Sequence, residues 1–105
     1  MSNITDALNG RGQMPLVLTG WDDYSVWGYD PMMDALFAQL WRNTDSSRDE
    51  PRIWISPGGR WPVTTDVNVL AGQIAEATSS AESDVRVALA RCAPAVVKEH
   101  LLATA

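Results

Sequence analysis

No aromatic residue follows Trp61, so the final 44 of 105 residues must pack without a large ring. The one cysteine, Cys92, rules out an internal disulfide and favours a reducing, intracellular setting. On a helical stretch the one histidine, His100, would lie ~12 Å from Cys92, too far for a nucleophile and its base. No apolar run approaches the ~20 residues that a membrane helix needs. The N-terminus has no basic start followed by an apolar stretch, so no secretory signal is expected and the cytoplasm is the default location. Lys98 is the only lysine beside seven arginines, and thirteen acids leave a net charge of −5. That surface repels phosphate backbones and anionic lipid, which disfavours nucleic acid and membranes as partners.

What is present is unevenly placed. All eight aromatic residues fall between positions 21 and 61, and five of them are tryptophan. The remainder is rich in alanine, thirteen in the whole chain, and with the arginine usage this resembles the composition of a GC-rich bacterial genome. An aromatic, strand-like front and a small-residue, helical back are expected within one domain.

Residues 1–13 are polar, contain Asn9-Gly10 and Gly12, and show no sustained period; they read as a flexible leader to a domain over 14–105. Residues 15–19 form a candidate edge strand, with Pro15 confining it to an edge or a start. Tyr24 to Asp30 alternates, with Tyr24, Val26 and Gly28 on one face and Ser25, Trp27 and Tyr29 on the other. Gly28 signals a bulge or a close backbone approach. Residues 31–43 admit two readings. Met33, Leu36, Phe37, Leu40 and Trp41 fit a helical face behind Asp30-Pro31; alternatively a turn over 30–34 leads into a second hairpin arm over 36–42. A polar loop spans 43–51, and Arg52 to Ser56, between two prolines, is the clearest strand. Helices are expected over 66–78 and 81–92, the second opened by a capping box from Ser79 to Glu82, with a C-terminal piece after Pro94.

The run Trp27-Gly28-Tyr29-Asp30-Pro31, then Leu36 to Trp41 and Ile53-Trp54-Ile55, resembles a group of small uncharacterised bacterial, actinobacterial-like proteins. They share a G-[YW]-D segment, an F-A-Q-[VL] segment and an apolar strand with Trp, and have no established function. The resemblance implies that Phe37-Ala38-Gln39 is a strand of a three-stranded meander followed by helices. It therefore favours the hairpin over the helical period at 31–43.

Catalytic and metal chemistry find little to stand on. Asp22, Asp23, Asp30 and Asp34 lack the alternating spacing of a calcium loop and have no histidine partner, so no metal and no cofactor are expected. Ser56 to Gly59 lacks the lysine of a phosphate loop and reads as a plain turn. Leu70 to Leu89 superficially resembles a helix-turn-helix, but its second helix would lead with Glu82 and Asp84, which phosphates repel. Cys92 reads as a small core residue and His100 as a partly exposed helix-end residue.

The expected fold is α+β: a small antiparallel three-stranded sheet, with room for a fourth N-terminal edge strand, covered on one face by C-terminal helices. Trp27, Trp41 and Trp54 are expected in the core. Trp21 and Trp61, beside turn residues, are expected at the surface with Asp22, Asp23 and Arg60 as a partner-binding patch. The functional expectation is a non-enzymatic cytoplasmic protein-interaction module of accessory, regulatory or immunity type, with a homodimer as one arrangement. Two alternatives stand beside it: a DNA-associated regulator using 66–92, and a binder of a small aromatic or sugar ligand.

Overall fold

The computed structural model describes residues 3–43, 50–55 and 60–103. The chain runs α1 (Asn3–Leu8), β1 (Gln13–Pro15), β2 (Val26–Asp30), β3 (Ala35–Leu40), β4 (Ile53–Ile55), α2 (Val67–Thr78), α3 (Glu82–Ala90) and α4 (Ala95–Leu102). It is an α+β fold in which four strands form an antiparallel meander in the order β1-β2-β3-β4. The polar loop centred on 44–49 and the Ser56–Gly59 turn expected from sequence lie outside the described residues.

Residues 35–40 are a strand, as the resemblance implied, and the turn before them explains why the helical period fails. The Asp30 carboxylate accepts the backbone N–H groups of Met32 and Met33 at 3.0 and 3.4 Å, closing an Asx-type turn. Asp34 then adopts a left-handed conformation, φ 48°, which reverses the chain. Met33, which the helical reading buried, is 57% exposed. From Ala35 onward the strand pairs on both sides, with β2 along its length and with β4 at Ala38 to Leu40. Two flanking ladders outweigh a local preference for helix.

Register divides the sheet into two unlike faces. Met14, Trp27, Ala38 and Ile55 lie in one cross-strand row, and all four are buried. The next row, Pro15, Val26, Gln39 and Trp54, points the other way and holds no buried residue. The helices cover the first face only. Val67, Leu70, Ala71 and Ile74 of α2, Val85 and Leu89 of α3, and Val97 and Leu101 of α4 are fully buried and complete one core with Trp27, Leu36 and Leu40.

Three expectations change here. The residues read as a flexible leader form α1 from Asn3, and Leu8 is fully buried, with Ile4 and Ala7 packed against the core. Those apolar positions recur at helical spacing, a signal that the intervening polar residues obscured. The edge strand comes earlier than expected, at Gln13–Pro15, because its partner row in β2 ends at Val26. The capping box does not form. Ser79 ends α2 instead, in a left-handed conformation (φ 57°), and Ala81 is the N-cap of α3, with no side-chain capping bond. The N–H of Ser80 bonds to the carbonyl of Ala75 at 3.0 Å, closing α2 as a Schellman-type turn.

Arg86 clips the three C-terminal helices together. Its guanidinium bonds Glu82 of α3 at 2.8 Å, the carbonyl of Leu101 in α4 at 3.2 Å, and the side-chain oxygen of Asn68 in α2.

Candidate functional site

The uncovered face of the sheet is the most distinctive surface among the described residues. Strand alternation places Phe37 and Gln39 of β3 and Trp54 of β4 there; Trp41 continues the β3 row past its end but is buried, as expected from sequence, at 5% exposure. Gly28 is needed beneath Phe37: a Cβ on it would stand 2.6 Å from the carbonyl of Gly12 and 3.0 Å from the Phe37 ring. This is the close backbone approach that the glycine implied. Trp54 is 55% exposed and Tyr24 51%.

Tyr24 and Trp41 form a corner on this face, with ring centroids 4.8 Å apart and planes at 70°. Two contacts from the preceding turn set the corner. Asp22 accepts the N–H of Tyr24 at 2.8 Å and donates its own backbone N–H to the carbonyl of Trp41 at 2.7 Å. Beside the corner, Gln13, Pro15, Asp23, Val26 and Gln39 complete an open depression of about 510 Å³.

At the far end of the β2–β3 hairpin, Tyr29 donates its hydroxyl to the Asp34 carboxylate at 2.6 Å. That hydrogen bond, reinforced by desolvation and by the negative charges of Asp34, Asp6 and Asp30, raises the phenol above its ordinary value of 10.0. The bond ties the turn to the strand.

The partner-binding patch expected from sequence does not assemble as a unit. Trp21 is only 6% exposed and belongs to the core, with the Arg42 guanidinium 4.8 Å over its ring. The isolated bridge between Trp21 and Arg42 pulls it inward, so its turn neighbours were a poor guide to exposure. Asp22 and Asp23 line a second depression of about 720 Å³ with Trp21, Asn43 and Arg91. Arg60 and Trp61 do not line it; Trp61 is half-buried against the core with Arg60 5.4 Å over its ring. Trp54, expected in the core, is exposed. The signal was available: Ile53 and Ile55 flank Trp54 in a short strand, and alternation forbids all three from sharing a face.

The remaining candidates are scattered. Cys92 is exposed, because α3 ends at Ala90 and leaves it in the connection to α4 rather than on a helical face. His100 sits in the last turn of α4, about half exposed, with its Nε2 3.9 Å from the Asp66 carboxylate. Among the described residues no group of three His, Cys, Asp or Glu side chains gathers to hold a metal ion, and no helix is long and apolar enough to cross a membrane. No protein-family model matches the chain, and no curated protein and no solved structure matches it significantly.

Proposed function

We propose that this chain is a non-enzymatic protein-interaction module, of accessory, regulatory or immunity type, which docks a partner protein on the open face of its sheet. The observation that carries the reading is the contrast between the two faces. One holds the main core cluster, while the other, with Trp41 buried at its end, displays Trp54 and Tyr24 at 55% and 51% exposure beside Val26 and Phe37. Exposed Trp and Tyr rings on a rigid sheet give large contact area for little lost side-chain entropy, which is why they dominate binding hot spots. The net charge of −5 and the exposed Asp23 favour a partner segment that carries apolar residues beside a basic one.

The arrangement of Arg86 counts against a DNA reader at 66–92. It is the first basic residue of α3, yet Glu82, Asn68 and the Leu101 carbonyl hold it, and only 13% of its side chain is exposed. Glu82 and Asp84 occupy the leading turn that would meet phosphates.

Affinity capture with the wild-type chain, Trp54→Ser, Tyr24→Ser and a helix-side control, Val87→Ser, tests the proposal. A nuclease-resistant protein recovered stoichiometrically with wild type and control, and lost with both sheet-face variants, supports it. Equal recovery by all four chains rejects the face. Light scattering that finds a wild-type dimer and a Trp54→Ser monomer assigns the face to a second copy instead.

A further inference from the structure

We infer that the groove between α3 and α4 docks an acidic amphipathic helix of a partner protein. This surface belongs to the helical layer and does not rest on the reading of the open sheet face.

Two matching pairs of residues build the groove. Val87 and the C-cap residue Arg91 stand four apart along α3, and Lys98 and Leu102 stand four apart along α4, so each pair shares one helical face. The buried Ala90 floors the space between them, an open groove of about 340 Å³. In each pair the cation lies nearer the connection at 91–94, and the apolar residue lies one turn, about 6 Å, farther from it. The groove therefore has a cationic end and an apolar end. Val87 is 52% exposed and Leu102 49%, so the apolar end is open to a partner.

The cations are unengaged. Neither Arg91 nor Lys98 has an ion-pair or side-chain hydrogen-bond partner among the described residues. Other arginines are held: Arg86 by Glu82 and the Leu101 carbonyl, Arg42 over Trp21, Arg60 over Trp61, and Arg52 by a contact of its own. In a chain whose thirteen acids outnumber eight bases, two such cations beside two exposed apolar side chains stand out. No acid lines the groove. Asp84, and Asp22 with Asp23, line other depressions that Arg91 also borders, without pairing with it. Glu99, exposed, follows Lys98 along α4.

These features select the occupant. A groove between two packed helices suits a third helix, whose apolar residue fills the Val87–Leu102 end. A carboxylate one turn away on that helix then reaches Arg91 and Lys98. Two positive charges with no acid between them favour that sign over a neutral or basic face. An anionic bilayer is the poorer match. Recognition of anionic lipid takes clusters of roughly four to eight cations, and a flat surface would meet Asp84 and Glu99 as well.

The test uses the full chain and a fluorescently labelled sixteen-residue helical peptide that repeats leucine and glutamate one turn apart on one face. Binding is read by anisotropy and by amide NMR. Saturable binding with shifts at Val87, Arg91, Lys98 and Leu102 is expected. A peptide with glutamine for each glutamate, and the Arg91→Gln/Lys98→Gln double variant, should each bind roughly tenfold more weakly. Both substituted side chains are exposed, so the double variant should keep the wild-type thermal melt. Val87→Ser should weaken the peptide yet keep any partner captured on the sheet face, which separates the two surfaces. Equal binding of the two peptides, or equal binding by wild type and the double variant, overturns the proposal. Shifts confined to the sheet face overturn it as well. Binding to phosphatidylglycerol vesicles without saturable peptide shifts assigns the groove to lipid and overturns it too.

Discussion

The hydroxyl of Ser25, fully buried, accepts the backbone N–H of Trp41 at 3.1 Å across sixteen residues of chain. This bond holds the end of the β3 strand against the approach to β2, where pairing by the ladder itself has ended at Gln39. It also fixes Trp41 for its contact with Tyr24 on the open face. Ser25→Ala should therefore leave a buried donor unmet and cost about 1–3 kcal/mol in chemical denaturation. Loss of the Tyr24–Trp41 corner should accompany it, read as a changed Trp41 indole shift. An unaltered midpoint and an unaltered indole would mean the bond contributes nothing.

Trp21 and Trp54 have exchanged the places that their neighbours suggested, so their substitutions should behave in opposite ways. Trp21→Ala opens the core and should cost about 3–5 kcal/mol, a large share of the ~5–15 kcal/mol that holds a domain of this size. Trp54→Ser should shift stability by less than about 1 kcal/mol, since surface changes rarely do more. Paired thermal melts decide the matter; comparable losses in the two variants would refute the assignment of Trp54 to the surface.

Arg86 should be irreplaceable by lysine. Its planar fork reaches three helices at once, and an ammonium cannot satisfy that geometry. Arg86→Lys and Arg86→Ala are both expected to lose about 1–3 kcal/mol, chiefly because the Leu101 carbonyl and Asn68 lose their donor. Stability restored to the wild-type value by lysine would show that charge alone matters at this position.

Ser79 offers a gain. It ends α2 in a left-handed conformation that costs a non-glycine residue energy, and its side chain is exposed. Ser79→Gly should raise stability by about 0.5–1 kcal/mol, the conformational relief exceeding the entropy added to the unfolded chain. A lower melting temperature would indicate that the serine hydroxyl does something the glycine cannot replace.

Tyr29 should ionise late. Its raised phenol means that the fold favours the protonated form, so this contribution is complete below the unfolded value near 10.0 and fades as pH rises through the folded one. In Asp34→Asn the hydrogen bond weakens and the neighbouring charge disappears, so the titration of the Tyr29 ring carbon should move to lower pH. A titration curve that does not move would locate the cause elsewhere.

Much of the architecture was legible because it is written in local period and punctuation. The start of α2 near Asp66, Pro94 as a break and the apolar spacing of Leu70, Ile74, Val85 and Leu89 depend on residues within a turn or two of one another. Strand placement at 35–40 needed more, since the period there matched a helix and only the flanking ladders decided it. The surface was least legible. Turn residues around Trp21 pointed outward, yet the Trp21–Arg42 bridge carries that ring into the core, a contact between segments twenty-one positions apart.

The sequence by itself determined the α+β class, the number and order of the C-terminal helices and the special backbone position of Gly28, because these follow from steric preference and hydrophobic period along the chain. Only the tertiary structure decided which tryptophans face solvent, where α1 packs and which polar groups surround the Tyr24–Trp41 corner. Burial is a property of what stands opposite a side chain, and what stands opposite is set by strand register and helix packing between distant segments.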